Sequence, residues 1–409
     1  MFSDPARLAS WLDDRDSFVD SARARREAAS EASRQAAVYP NPQLMTSVGG
    51  FVVGPTNPST PRLGLGQTTN VTAELSELLE IGKRGPRQRA ATERAEEAAQ
   101  LEVATLGARL SEATATLGKL AYVSSRRVAV ATSLEAARAL ESLERVRRDK
   151  SDLSGAEFSR IELDTQQIEL QLGRADADVA VAGAQCSALL LAPCSTDAID
   201  DPRALDAGAP VPEVVATTDS MIEHRPARDA ARLEANALGA DATLAARRAI
   251  PDPTLGIGYT YDNLTIAGNQ RQTLMLSLTL PLPVFDRGTH DAASARASAR
   301  ALLAEDRASM REAHGQVEAL LAQRATLQTT LAKLETEAVP RSAAIVQQTR
   351  RAFDLGQAGL AELLLAERAH RELLLEVLDT RFDLFNARAQ LRQALGLDDD
   401  VARAVRKSP

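Results

Sequence analysis

Aromatic residues make up only 3% of the 409-residue chain, too few to fill the core of an ordinary globular protein of that length. Positive charge is not in excess: the net charge is −8 and the pI about 5.3, which argues against a nucleic-acid partner. No uninterrupted apolar run approaches the roughly 18–20 residues that a membrane-spanning helix needs. The nearest run, Val179–Pro193, is broken by Gln185. If this chain crosses a membrane, it does so with strands. The first residues, MFSDPARLASWLDD, show no basic stretch followed by an apolar one, so no signal peptide is visible and no cysteine nearby offers a lipidation site. Taken literally this points to the cytoplasm; the other reading is a chain that starts after cleavage or at a misplaced start codon.

Two cysteines, Cys186 and Cys194, are the only ones in the chain, and their spacing fits no zinc motif. We read them as two small buried apolar side chains; a disulfide would require an oxidising compartment. The four histidines, His224, His290, His314 and His370, are scattered without ligand spacing, so neither a metal site nor a cofactor is expected. GIGYTY lacks the third glycine and the βαβ setting of a dinucleotide fingerprint. No enzyme motif stands out.

What the chain does contain is a repeat. YPNPQL opens a stretch that runs through LMTSVGGFVV, a Gly/Pro/Ser/Thr-rich loop and NVTAELSELLEI to GKRG; IPDPTL opens a second that runs through GIGYTY and TLMLSLTLPLPV to FDRG. Internal duplication constrains a fold more than any local signal. Leu274, Leu276, Leu278 and Leu280 alternate with Thr273, Met275, Ser277 and Thr279, the clearest strand signal in the chain. Val71, Ala73 and Leu75 alternate with Asn70, Thr72 and Glu74 in the same way.

The rest reads as helix, rich in Ala, Arg, Leu and Glu. We divide the chain into an N-terminal helix (1–38), a first β-hairpin (39–85), a first helical hairpin (86–192), an irregular linker (193–213), a helix (214–249) with a break at Pro226, a second β-hairpin (250–288), a second helical hairpin (289–397) with a kink at Pro340, and a charged tail (398–409). The helix after Pro86 would be on the order of 100 Å long, as in a coiled coil or helical tube. KSDLSGAE and LGQAGL are the matching turns of the two helical hairpins. The fold class is therefore mainly α, with a small transmembrane β part of four strands per chain.

Four strands cannot close a barrel, and an open edge in lipid leaves backbone groups unpaired at several kcal/mol each. Other copies of the chain must close it: two give eight strands and three give twelve. The paired elements PNPQL…AELSELLEIGKRGPR and PDPTLGIGYTYD…LSLTLPLPVFDRG resemble the TolC-type outer-membrane efflux factors, and within them the CzcC-like branch that serves heavy-metal cation pumps. The resemblance spans about residues 20 to 397 and rests on duplication in matching places. It implies a homotrimer with a twelve-stranded barrel in outer-membrane lipid and a periplasmic helical tunnel, completing an α/β barrel tunnel. It further implies a periplasmic adaptor protein and an inner-membrane pump of the resistance-nodulation-division type as partners, with the chain itself a passive conduit. The same fold serving drug efflux or type I protein secretion is the alternative, and a soluble coiled-coil scaffold is the alternative of another class.

By position, the resemblance makes Pro40, Pro42, Pro251 and Pro253 the entries into strands, and Gly82, Gly85 and Gly288 the returns to helix. It places Ser154, Gly155, Gly356 and Gly359 in the tip turns. Beside them, Leu153, Ala156, Leu360 and Leu363 have two open readings: contacts for a docking adaptor, or the residues that let a helical hairpin turn. Glu74, Glu77 and Glu80 raise the idea of a cation path, and we read them as solvated at a strand end. Lys83–Arg84 and Asp286–Arg287 are read as charges at the membrane edge rather than a selectivity ring.

Overall fold

A computed structural model describes residues 4–51, 59–60, 62, 64–150, 153–194, 204–211, 218–263 and 270–407. Its elements in chain order are α1 (Pro5–Arg15), α2 (Ser17–Ala36), β1 (Gln43–Gly49), α3 (Leu65–Thr68), β2 (Asn70–Leu78), α4 (Arg84–Asp149), α5 (Gly155–Leu190), α6 (Ala204–Ala207), α7 (Thr218–Glu223), α8 (Pro226–Ala246), β3 (Thr254–Asp262), β4 (Gln272–Thr279), α9 (Thr289–Lys333), α10 (Val339–Asp354), α11 (Leu360–Ala394) and α12 (Leu397–Lys407). Most of the 193–213 linker lies outside the described residues.

Local chemistry sets the element ends. The 66-residue α4 has no proline beyond its first turn. α5 starts on a capping box, in which the Ser154 hydroxyl takes the Glu157 N–H and the Glu157 carboxylate takes the Ser154 N–H. Between α9 and α10 the backbone widens into a π segment at Leu334–Ala338, just before Pro340. A proline there has no N–H for the carbonyl one turn back and its ring crowds that carbonyl, so an extra residue in the turn relieves both. The expected N-terminal helix is two helices: Asp16 ends α1, and its carboxylate accepts the N–H groups of Phe18 and Val19 to start α2.

The chain divides into two compact units. The first comprises residues 1–24, 99–229 and 307–409, and its regular elements among the described residues are all helices. Its main core joins Leu8 and Leu12 of α1 to Leu106, Leu110 and Leu120 of α4, Cys186 and Leu190 of α5, and Ala402 of α12. The expected charged tail at 398–409 is corrected here, because Leu397–Lys407 is a helix with Asp398, Asp399 and Ala402 buried. Part of its charge is turned inward: Arg406 pairs with Glu102 at 2.6 Å and with Asp13 at 2.8 Å, and Arg23 reaches Asp13 at 3.3 Å. Glu102 is only 1% exposed, so the pairing compensates a carboxylate that could not stand alone there.

Glycine lets two of these helices approach closely. A Cβ at Gly118 of α4 would lie 2.0 Å from Cε1 of Phe385 of α11, whose ring stacks on Phe382 and through it on Tyr122. The rigid ring cannot swing aside within a packed core. We expect Gly118→Ala to destabilise the protein by on the order of 2 kcal/mol, despite alanine's better helix propensity, in urea denaturation.

For the cysteines the structure decides between the two readings. Cys186 and Cys194 form a disulfide, with Cα atoms 6.0 Å apart. Sequence spacing alone does not bring them together. Leu191 takes a left-handed conformation, φ 51°, and turns the chain back on α5, while the Trp11 indole N–H holds the Leu190 carbonyl at 2.9 Å. Closing a loop this short is worth about 2.5 kcal/mol on the chain-entropy account. Cys194→Ser is expected to lower stability by about that much and to remove any response to dithiothreitol, read by thermal unfolding with and without reductant.

The second unit comprises residues 25–98 and 230–306. It holds the four strands of the described residues, in one antiparallel sheet of order β1-β2-β3-β4. Arg94 of α4 binds Asp241 at 2.5 Å and Glu234 at 3.2 Å, both on α8, which ties these two helices together.

Candidate channel-forming surface

The sheet sorts its side chains by face. Pairing aligns Leu44, Leu75, Ile257 and Leu276 across the four strands, then Thr46, Ala73, Tyr259 and Leu274 two residues along. Leu255 and Leu278, and Val48 and Val71, extend the same face. The opposite face carries Ser47, Thr72, Thr260 and Thr273 in one row and Gln43, Ser76, Gly256 and Ser277 in another. Because the side-chain period of a strand is two, one register serves both faces at once.

The apolar face is uncovered: Leu276 is 81% exposed, Leu274 72% and Leu44 68%. Water would penalise such a surface, and a contiguous apolar patch of this kind marks an interaction with lipid or protein. β1 pairs only with β2 and β4 only with β3, so both outer strands present unpaired edges among the described residues. The strands run seven to nine residues, close to what a tilted strand needs to cross a bilayer. No helix of the described residues is long and apolar enough to cross a membrane.

The polar face holds a detail that the sequence did not reveal. The Glu74 side chain on β2 lies across β3 to reach the Ser277 hydroxyl on β4 at 2.5 Å. Gly256 makes the room, since a Cβ there would sit 2.4 Å from both the Glu74 carboxylate and the Ser277 hydroxyl. The alternating glycines of GIGYTY are thus a bed for a carboxylate. The three glutamates considered as a cation path do not converge: Glu74 is on the polar face, Glu77 aligns with Leu255 and Leu278 on the apolar one, and Glu80 pairs with Arg87.

The strand ends are pinned by matched devices. Pro40 and Pro42 immediately precede β1, and Pro251 and Pro253 immediately precede β3. Between the second pair, Asp252 accepts from the Ile81 N–H at 2.9 Å and from Lys83 at 2.6 Å. Gly82 and Gly288 adopt φ +72° and +68°, which side-chain-bearing residues rarely do. At Gly288 a Cβ would also meet the Ala245 carbonyl oxygen at 1.9 Å. Gly85 lies in the first turn of α4, at the return to helix, without a positive φ. The charges of the two junctions are engaged locally. Arg84 donates to the Ala37 carbonyl and the Tyr39 hydroxyl, and Asp286 accepts from the Gly288 N–H.

The two helical hairpin turns share one core. Leu140, Ile161, Phe353, Leu360 and Leu363 pack together with Leu153 against them. Leu360 is 2% exposed and Leu363 fully buried, so these two are hairpin core and offer nothing to a partner on this surface. Ser154, Gly155 and Ala156 are exposed, as are Gly356 and Gly359, and Leu355, which sequence reasoning passed over, is 72% exposed. Gly356 takes φ +70°, and Gly359 caps α11. Asp164 of α5 binds Arg371 of α11 at 3.1 Å, and Tyr122 of α4 donates to Asp379 of α11 at 2.7 Å, which fastens one hairpin to the other. Burial, with the Asp379 hydrogen bond adding to it, pushes the Tyr122 phenol up to about 12, so this donor persists at any physiological pH.

A sheet of this kind set among paired long helices has known counterparts. Residues 218–397 match the family described as Outer membrane efflux protein. No curated protein matches the sequence. Among solved structures, the outer membrane protein VceC from Vibrio cholerae superposes with a TM-score of 0.76 at 18% identity, over 96% of each chain. CusC, solved in a study of folding and transmembrane channel formation, gives 0.79 at 14%, over 96% of this chain and 91% of its own. The Campylobacter jejuni CmeC outer membrane channel gives 0.78 at 13%, over 96% and 85%. At these identities the likeness establishes the fold, and the efflux-protein match covers the second of the two repeats. The matched family and these structures are outer-membrane proteins and channels rather than enzymes.

Proposed function

We propose that this chain is the outer-membrane channel of a tripartite efflux system, a passive conduit built as a homotrimer. The observation that carries the reading is the four-stranded sheet, apolar on one exposed face, polar on the other, and unpaired at both edges. Three copies joined edge to edge make twelve strands, put the leucine face against lipid, and leave no backbone group unpaired in hydrocarbon. The disulfide supports an oxidising location for the helical unit, such as the periplasm. A soluble scaffold would have no use for an uncovered leucine face. We place adaptor docking at the exposed turn residues Ser154, Gly155, Leu355, Gly356 and Gly359 rather than at the buried Leu360, with a pump of the resistance-nodulation-division type behind the adaptor.

The cargo we assign is heavy-metal cations, as the CzcC-like pattern of the strand repeats suggests. Hydroxyls and the Glu74 carboxylate on the polar face suit hydrated cations, and the described residues hold no cluster of three His, Cys, Asp or Glu that would trap one. Drug efflux and protein secretion remain the competing cargoes, to be distinguished by which toxic agent a strain lacking the gene becomes sensitive to. The channel itself is tested by purification in detergent and reconstitution in a planar bilayer. A trimer with stepwise conductance is expected; a monomer with no conductance would sink the proposal.

A further inference from the structure

A cavity of about 330 Å³ opens in the helical unit, lined by Arg324 and Gln328 of α9, Arg388 of α11, and Asp206, Pro210 and Val211 at and beyond α6. Arg324 and Gln328 are four residues apart and so share one face of their helix. Arg324 makes no ion pair or hydrogen bond among the described residues. The Arg388 guanidinium has a single long contact, 3.4 Å to the Asp206 carbonyl oxygen. Asp206 is the only carboxylate in the lining among the described residues, and Arg381 draws on it from 3.6 Å while also pairing with Glu335. Burial lowers the affinity of Arg388 for its proton, Asp206 opposes that, and the positive charge of Arg324 adds to it. Among the described residues the cavity therefore holds two guanidiniums that repel each other, a carboxamide, and less than one full negative charge to balance them.

Such a surplus of forked donors is complementary to an oxyanion that accepts along two edges. A phosphate monoester brings about −1.5 to −2 charges, which two guanidiniums can balance and a single carboxylate cannot. Pro210 and Val211 add apolar surface to the lining for the group attached to the phosphate. We propose that this cavity binds a small solute bearing a phosphate group, held between Arg324 and Arg388. The proposal stands apart from the channel reading and survives or fails without it.

The test uses the purified full chain, at constant ionic strength, with inorganic pyrophosphate and glycerol 3-phosphate as probes against a chloride control. Saturable binding in calorimetry and a rise in the thermal midpoint are expected. Arg324→Gln should weaken binding at least about tenfold, the loss of one charge-assisted contact, and should slightly raise the midpoint of the free protein by relieving the repulsion. Arg311→Gln, an exposed arginine on the same helix and away from the cavity, should change neither. Equal affinity in Arg324→Gln, or no response beyond chloride, overturns the proposal. Binding only to phosphatidylglycerol vesicles, with no response to the soluble probes, also counts against it.

Discussion

Replacing Leu276 by arginine is expected to abolish stable insertion into lipid while leaving the helices folded. Leu276 stands in the middle of β4, in the row with Leu44, Leu75 and Ile257, and is the most exposed leucine of the sheet at 81%. An arginine on the lipid face of a barrel costs about 2–4 kcal/mol near the bilayer midplane. In a trimer the cost enters three times, against a net stability of only about 5–15 kcal/mol for an ordinary folded protein. The control is Thr273→Arg, three residues away on the same strand and on the polar face beside Thr260. It places the same charge in water, so insertion should survive and only conductance and ion preference should change. Folding into lipid vesicles, followed by urea titration, reads both. If Leu276→Arg and Thr273→Arg insert equally well, the apolar face does not meet lipid and the channel proposal fails with it.

The two faces were legible in the sequence because a strand's period of two writes them directly into alternating letters, as at Thr273–Leu280. The prolines before each odd-numbered strand were legible for the same reason: their chemistry acts on residues nearby in the chain. What could not be read depends on residues distant in sequence or on a single backbone angle. Gly256 looks like a strand-weakening residue until Glu74, on a neighbouring strand, is seen lying across it. Cys186 and Cys194 come together across a turn at Leu191, which adopts a conformation that leucine rarely takes. The last residues look like a solvated tail because Asp398, Asp399 and Asp400 run together, and only the surrounding helices reveal that two of them are buried. Leu360 and Leu363 stood open between docking contacts and residues that let a hairpin turn, a choice that only their burial in the core shared by both hairpins decides.

Those buried aspartates lead to the second large effect. Asp399 lies in the first turn of α12, over Gly107 of α4, where a Cβ would come within 2.2 Å of its carboxylate. A helix N-terminus and the nearby Arg225 and Arg403 favour its charged form, but burial outweighs them, and Asp398 and Asp400 add to the burial, pushing the carboxyl up to about 6. An unfolded aspartate titrates near 3.9, so the folded state binds this proton more tightly by about two units. The resulting stabilisation is complete below about pH 4 and is lost as pH rises through 6, which amounts to about 3 kcal/mol at neutral pH. Asp399→Asn keeps the shape and removes the charge. It should therefore stabilise the protein by up to about 3 kcal/mol at pH 7.5, by little at pH 4, and should flatten the profile between them. Asp398→Asn should do the reverse at neutral pH. Burial raises that carboxyl too, but it accepts two bonds from Arg392, at 2.7 and 3.1 Å, and neutralising it strands a buried guanidinium. Urea midpoints of the three proteins from pH 4 to 8 decide the matter. Parallel curves for the parent and Asp399→Asn would show that this carboxylate is solvated, and that α12 does not hold it against α4 as described.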